Sequence, residues 1–316
     1  MEVVSLGSVA GVATPCAAAV GFFDGVHLGH RHLIGRVKAE AQRLGVLSAV
    51  VTFDVHPRQA LQKEYRPQLL STNDEKAGLL GGCGLDRCFV IGFGPDVAGM
   101  TARRFMEEIL RDSFGVRCLV VGYDNRFGRN REDGFVQYKE YGRELGMEVV
   151  ECGSLVAGGV NISSSHVRRL LSSGDVSAAA AALGRDYTLA GTVMEGRRVG
   201  RDIGFPTANL QPSCAMKTVP ARGVYAAVAE VGGRKWPAMV NIGTKPTFGS
   251  FGTTVEAHLV GFSGDLYGRA MEIAFKERLR DEVEFRSPAE LAARLEQDRR
   301  ITKDILSKQG FKWTTD

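Results

Sequence analysis

Two histidines stand three residues apart in a glycine-rich stretch near the start of the chain, GFFDGVHLGH at positions 21–30. An apolar run precedes this stretch and apolar residues at helical spacing follow it, so we expect a short buried strand, a turn and the start of a helix. The amides and the positive dipole end of a helix N-terminus attract phosphate, and His27 and His30 can donate hydrogen bonds to it. The pattern predicts a phosphate site, although the same Gly-His pairs also suit an ordinary turn.

A second candidate anion site is ISSSHVR at 162–168. Serines ahead of apolar residues at helical spacing predict a helix N-terminus that offers free amides and hydroxyl groups. Arg168 lies about one turn into that helix and can reach an anion held at its N-terminus. The alternative is a plain serine cap followed by a surface arginine.

A third candidate lies in the second half, where glycines alternate with arginines between Gly191 and Asn209. The pattern is not GxxxxGK[ST], so it is no Walker loop, but its glycines permit close backbone approach to a triphosphate. Thr207 and Asn209 offer the oxygen ligands that Mg²⁺ prefers. Glu256 stands in an apolar run, TTVEAHLV, where it either faces solvent or takes the proton of an attacking hydroxyl group.

Several helix signals stand in the first half of the chain. Apolar residues recur at helical spacing from Leu33 to Leu44, and Gly45 follows as a stop. Thr72 and Glu75 form the pattern of a capping box, and Thr101 is the expected cap of a further helix with an apolar face.

The first half alternates apolar strands with helices. Runs at 47–53, 88–93 and 118–121 read as buried strands, which predicts a parallel sheet with helices on both faces. Because ligands bind beyond the carboxyl ends of such strands, the polar loops that follow them should line one cleft. These loops are Asp24–His30, Asp54–Pro57 and Gly122–Gly128.

After Gly184 the helical periodicity stops and β-type segments follow one another, with Gly232-Gly233 as a tight hairpin. This succession predicts a small antiparallel barrel, and a capping box at Ser287–Glu290 predicts a terminal helix. We therefore expect two domains, 1–184 and 185–316.

The bulk composition narrows the class of protein. With 40 basic and 36 acidic residues the charge is nearly balanced, which argues against a nucleic-acid partner. Six scattered cysteines without a CxxC pair argue against zinc and disulfides. No leader or membrane-spanning run is evident, so we expect a cytoplasmic enzyme for small molecules, and the oligomeric state stays open.

Four segments together resemble the bacterial bifunctional riboflavin kinase/FMN adenylyltransferase (FAD synthetase) family. They are GFFDGVHLGH (21–30), GYDNRFG (122–128), ISSSHVR (162–168) and GRDIGFPTANL (200–210), with support from NIGTKPTFG (241–249) and VEAHL (255–259). The ordered set covers nearly the whole chain and is highly specific. Two positions depart from the usual pattern: Asn125 stands where many relatives carry an aromatic residue, and Ser165 where threonine is frequent.

The resemblance implies two reactions. The barrel would transfer the γ-phosphoryl group of ATP to riboflavin and give FMN, with Glu256 as the catalytic base. A Rossmann-like nucleotidyltransferase domain would then transfer AMP from a second ATP to FMN and give FAD, with His27 and His30 stabilising the charge on pyrophosphate. The alternative is a flavin-nucleotide-binding regulatory protein that has lost one or both activities, and the presence of all three residues argues against it.

The resemblance also implies further binding residues. For ATP in adenylyl transfer these are Gly21, Phe22, Phe23, Asp24, Gly25, His27, His30, Asp124, Ser164, Ser165 and Arg168. For ATP in the kinase reaction they are Gly196, Gly200, Arg201, Gly204, Pro206, Thr207 and Asn209, with Thr207 and Asn209 also binding Mg²⁺. Arg280 and Phe285 are the candidates for contact with the flavin in the kinase site.

Overall fold

A computed structural model describes residues 1–6, 14–62, 64–195, 204–247 and 250–311. Spatial contacts divide the chain into two compact units, Met1–Ser164 and Ser165–Asp316. The sequence placed the division later, at 184/185, because the helical periodicity continues to that point.

The first unit is built on a six-stranded parallel sheet in the order β1-β4-β3-β2-β5-β6. The connections run outward in opposite directions from the middle of the sheet, so β2 and β5 flank the crevice at which such sheets bind ligands. The strands are β1 (Glu2–Ser5), β2 (Cys16–Val20), β3 (Leu47–Phe53), β4 (Arg87–Ile91), β5 (Val116–Gly122) and β6 (Glu148–Cys152).

Helices connect these strands. The predicted end of the first helix at Gly45 is confirmed by a left-handed φ of 65° there. The predicted capping box between Thr72 and Glu75 is confirmed, since both of its hydrogen bonds form. The helices are α1 (Leu28–Leu44), α2 (Pro57–Leu61), α3 (Asn73–Gly81), α4 (Pro95–Gly99), α5 (Ala102–Arg104), which continues as a π-helix (Phe105–Ser113), and α6 (Phe135–Leu145). A small hairpin, β7 (Val156–Ala157) and β8 (Val160–Asn161), closes the unit.

The two faces of this sheet bury two separate cores. Ala17 and Ala19 of β2 pack into the core that contains Ile34 of α1. The alternate residue Ala18 packs into the other core with Phe105 of the π-helix. Because successive strand residues point to opposite faces, helices must cover both sides, and the predicted doubly covered parallel sheet is confirmed.

The second unit contains a closed barrel of six antiparallel strands in the order β10-β13-β12-β11-β14-β9, as the sequence predicted. Two helices precede the barrel, and one of them contacts it: Ser177 donates a hydrogen bond to the Lys276 carbonyl at 2.9 Å. These helices are α7 (Ser164–Ser173) and α8 (Val176–Leu183). The strands are β9 (Tyr187–Met194), β10 (Ala208–Pro212), β11 (Gly223–Val231), β12 (Arg234–Thr247), β13 (Ser250–Leu259) and β14 (Ala270–Arg280), and α9 (Pro288–Lys308) follows them.

This packing explains why the spatial division precedes the predicted one. Helix α8 contacts β9 and β14, and the Ala221 amide donates to the Leu171 carbonyl of α7 at 2.9 Å.

In the described part of the chain, no helix is both long enough and apolar enough to cross a bilayer.

Candidate active sites

The turn after β2 has an unusual backbone. Phe23 and Val26 have left-handed φ values of 55° and 38°. Such values are rare outside glycine and costly for a β-branched residue such as valine, so surrounding contacts must hold this turn.

Asp24 supplies those contacts. Its side chain is 3% exposed, and its carboxylate accepts hydrogen bonds from the backbone amides of Leu70 and Ser71 at 2.9 and 3.0 Å. The Ser71 hydroxyl group in turn accepts from the Gly25 amide at 2.9 Å. Asp24 therefore ties the turn to the segment before α3 by charge-assisted hydrogen bonds.

The two histidines lie together at the start of α1. Their rings stack with centroids 3.7 Å apart and planes 19° apart. The His27 ring caps the helix, since its Nδ1 accepts from the His30 backbone amide at 3.2 Å. Because Nδ1 accepts this hydrogen bond, a neutral His27 ring carries its proton on Nε2.

The glycine between the histidines is required by a close approach of the backbone. A Cβ atom at position 29 would lie 2.5 Å from the Ile162 carbonyl oxygen and 3.1 Å from the His27 ring. The first and second sequence motifs therefore pack against each other at this point. Ser164 confirms this arrangement by donating from its hydroxyl group to the Asp24 carbonyl at 3.0 Å.

Three further residues were predicted for this site: Ser165, Arg168 and Asp124. Ser165 and Arg168 follow Ser164 on α7, where Arg168 is half-buried. Asp124 is exposed in the loop after β5. Their roles in ATP binding stay predictions.

A cavity of about 600 Å³ opens beside the turn, at the carboxyl ends of β2, β3, β4 and β5. It brings together residues that follow these four strands, although Asp24 and the two histidines do not line it. Five phenylalanines contribute to its wall: Phe22, Phe53, Phe93, Phe105 and Phe127. Four arginines contribute as well: Arg58, Arg126, Arg129 and Arg131.

Asn125 also lines this cavity. Its amide donates to the carbonyl of Val20, the last residue of β2, at 2.6 Å. Asn125 therefore joins the loop after β5 to the strand before the turn.

Lys76 is a buried lysine that contacts two residues in the wall of this cavity. Lys76 of α3 is 4% exposed, donates from Nζ to the Phe53 carbonyl at 2.9 Å and lies 4.3 Å from the centre of the Phe22 ring. Burial lowers the pKa of Lys76 to about 8, and the negative charges of Asp24 and Asp54 oppose that shift.

In the barrel, the carboxylate of Glu256 meets residues of the third motif. Thr207 Oγ1 lies 3.4 Å from Glu256 Oε2, at the long end of a hydrogen bond. Asn209 of β10 and Asn241 of β12 are the direct cross-strand neighbours of Glu256 on β13. Directly paired residues share a face, so one carboxylate stands between two amides. Gly204 and Pro206 lie in the loop just before Thr207, and Gly196, Gly200 and Arg201 fall outside the described residues.

A cavity of about 310 Å³ lies on the other side of these strands. Pro206, Thr207 and Ala257 line it, together with the loop of residues 262–267. Because side chains alternate along a strand, Glu256 points away from the face that Ala257 presents to this cavity.

Arg280 and Phe285 lie near each other, with the guanidinium carbon 5.8 Å from the ring centre. The guanidinium group is held by Asp298 of α9, which accepts from Nη2 at 2.7 Å and is fully buried. This ion pair fastens α9 to β14, and a role of either residue toward flavin stays a prediction.

Sequence reasoning did not find several residues that build these sites. Ser71 and Lys76 act through contacts with residues far away in the chain, which no local pattern indicates. Three arginines of the larger cavity stand close together in the sequence, at 126–131, and their relation to phosphate ligands stays a prediction.

Comparison with known proteins gives two matches to family models, one in each half. The FAD synthetase model matches residues 10–166 and the riboflavin kinase model matches residues 183–306. The chain is 37% identical to a bifunctional riboflavin kinase/FMN adenylyltransferase of Pseudomonas fluorescens over 86% of this chain and 87% of that protein. It is 33% identical to the Escherichia coli K12 protein of the same description over 92% of each.

A solved structure shows the same architecture. A crystal structure described as a macrolide-efflux protein from Streptococcus pneumoniae matches with a TM-score of 0.87 and 26% identity. The match covers 96% of this chain and 99% of that chain.

Proposed function

This chain belongs to the bifunctional riboflavin kinase/FMN adenylyltransferase family, and from that premise we propose how its residues divide the two reactions. The barrel phosphorylates riboflavin to FMN, and the parallel-sheet unit adenylylates FMN to FAD. The observation that carries this division is that each compact unit holds its own candidate site for phosphate chemistry, the stacked histidines in one and the Glu256–Thr207 contact in the other.

In adenylyl transfer, a phosphate oxygen of FMN attacks the α-phosphorus of ATP, and the bond to pyrophosphate breaks. Negative charge develops on the leaving group, and donors already aimed at it lower the barrier without reorganising. The Nε2–H of His27 and the N-terminus of α1 provide such donors, with His30 stacked beside them. Asp24 contributes by holding the turn in shape, and the Ser164 hydroxyl group donates to its carbonyl.

The larger cavity suits FMN in both size and chemistry. Its phenylalanine rings offer flat apolar surface for the isoalloxazine ring, and its arginines offer charge for the phosphate. Gly21 and Phe22 line it and directly precede the histidine turn, so FMN bound there would lie next to ATP. We therefore place the second substrate in this cavity.

In the kinase reaction, the ribityl 5′-hydroxyl group attacks the γ-phosphorus of ATP, ADP leaves, and Glu256 takes the hydroxyl proton. The Thr207 hydroxyl and the Asn209 amide are neutral oxygen ligands beside this carboxylate, a donor set that fits Mg²⁺ bound together with nucleotide phosphates. When bound, Mg²⁺ neutralises charge on the phosphate oxygens. The smaller cavity, which Pro206 and Thr207 line, takes the nucleotide.

Two product assays on one protein test this division. The purified chain is incubated with riboflavin, ATP and Mg²⁺, and separately with FMN, ATP and Mg²⁺, and flavins are separated by chromatography. Glu256→Gln should lower FMN formation by about 100-fold or more and leave FAD formation from supplied FMN intact. His27→Asn with His30→Asn should do the reverse, by about 100- to 1,000-fold.

The matched control is Glu272→Gln, which removes an exposed carboxylate from β14 of the same barrel. It should leave both reactions unchanged. Unchanged riboflavin with the wild-type chain would disprove the proposed function. Equal loss of both reactions in a folded Glu256 variant would disprove the division between the units.

A further inference from the structure

His258 is a buried polar residue on β13 that the two reactions do not yet explain. It lies two residues after Glu256, is 9% exposed, and its Nδ1 lies 2.8 Å from the carbonyl oxygen of Pro206. A carbonyl oxygen only accepts, so Nδ1 carries a proton and donates it. The ring also contacts Phe205, with centroids 5.1 Å apart and an interplanar angle of 57°.

This hydrogen bond fixes the segment that carries the proposed metal and nucleotide ligands. Pro206 has no amide hydrogen, so its carbonyl is its one backbone group able to form a hydrogen bond. The next residue, Thr207, meets Glu256 at 3.4 Å and lines the smaller cavity. His258 and Glu256 are alternate residues of one strand and share a face, so one strand holds both the base and the loop opposite it.

The terminal helix also contacts this loop. The guanidinium carbon of Arg299 on α9 lies 5.9 Å from the centre of the Phe205 ring. Burial lowers the pKa of His258, the hydrogen bond to the Pro206 carbonyl opposes that shift, and the positive charge of Arg299 adds to it. A neutral imidazole carries one proton, and the Pro206 carbonyl keeps that proton on Nδ1.

We propose that His258 is a positioning residue of the kinase reaction, which sets the place of Thr207 relative to Glu256 through the Pro206 carbonyl. It touches neither substrate and takes no proton. The inference rests on the proposed kinase site. A leucine of similar volume would fill the same space, but it would leave the carbonyl without its donor and the loop free to shift.

The side-chain chemistry allows a sharp test. The amide nitrogen of asparagine stands as many bonds from Cα as Nδ1 of histidine, whereas that of glutamine corresponds to Nε2. His258→Asn should therefore retain the donor, and His258→Gln and His258→Leu should lose it. Met239→Leu, at the cross-strand neighbour of His258, is a packing control without a change in hydrogen bonding.

Loss of this partly buried hydrogen bond predicts a rise of about tenfold in KM for Mg-ATP in FMN formation for the Gln and Leu variants. KM for riboflavin, and the rate of FAD formation from FMN, should not change. Stabilisation of the chain against heat by a non-hydrolysable ATP analogue with Mg²⁺ and without FMN should shrink in the same variants. His258→Asn and Met239→Leu should resemble the wild type.

Equal kinase parameters in the Asn, Gln and Leu variants would overturn the proposal, because the position of the donor would then be irrelevant. An equal rise in KM for both substrates would also overturn it, because it would indicate a general loss of packing. A wild-type chain that forms no FMN would instead refute the proposed function. If the Leu variant does not fold, the contrast between Asn and Gln decides the question.

Discussion

Asp24 offers the most direct test of how the histidine turn is built. Its carboxylate accepts from two backbone amides, of Leu70 and Ser71, and from the Ser71 hydroxyl group at 3.3 Å. Asp24→Asn keeps one oxygen but turns an amide group toward these donors. We expect the segment of residues 69–72 to loosen and FAD formation to fall, while FMN formation continues.

The magnitude follows from the lost contacts. A hydrogen bond to a charged group contributes about 1.5–3 kcal/mol, so loss of the charge and of one acceptor should cost about 2–4 kcal/mol locally. Since about 1.4 kcal/mol is a factor of ten, amide exchange at 70 and 71 should accelerate about 30- to 1,000-fold. Ser71→Ala removes the hydroxyl contacts alone and should cost about 1 kcal/mol.

Hydrogen exchange followed by mass spectrometry, combined with the two product assays, measures both effects. The Asp24 and Ser71 changes should be non-additive when combined, because the two side chains touch. If Asp24→Asn abolished FAD formation while exchange at residues 69–72 stayed as in the wild type, the carboxylate would act on substrate directly. The scaffold role would then be wrong.

Two further predictions concern Arg129, which lines the cavity that we assign to FMN, and Lys76, which contacts the wall of that cavity. Arg129→Glu reverses one positive charge of the cavity and should raise KM for FMN about tenfold, with a weaker dependence on salt and unchanged FMN formation. The product assays at two ionic strengths measure these effects, and an unaltered KM would remove Arg129 from the site. The folded-state pKa of Lys76 is about 8, below the usual 10.5. Between these two values the unfolded chain binds more protons than the folded chain, so the free energy of unfolding should rise with pH there, by at most about 3 kcal/mol. Thermal unfolding at pH 7.5 and 10 should show this rise in the wild type but not in Lys76→Met, and parallel behaviour of the two proteins would contradict the argument.

The sequence predicted those strands and helix ends that are determined by residues close together in the chain. The strand at Leu47–Phe53 and the stop at Gly45 were found because apolar runs and left-handed glycines are local signals. The π-helical turn at Phe105–Ser113 was expected as an ordinary helix, since its apolar spacing does not reveal the bonding pattern. The short edge strand β1 was missed because four residues carry too little periodicity.

The candidate sites follow the same rule. Glu256, Thr207 and the two histidines were found from motifs. Ser71 contacts the histidine turn, Lys76 contacts the wall of the larger cavity, and His258 contacts the loop before Thr207. These pairings join distant segments, and only the folded chain displays them.

The position of Thr207 has a consequence for where FMN synthesis takes place. Ala257 faces the cavity that we assign to the nucleotide, and its neighbour Glu256 faces the opposite side of the strand. Thr207 lines that cavity and also lies 3.4 Å from the Glu256 carboxylate. Because the attacking hydroxyl group and the γ-phosphorus must meet at one point, we expect the transfer to take place beside Thr207, just before the start of β10.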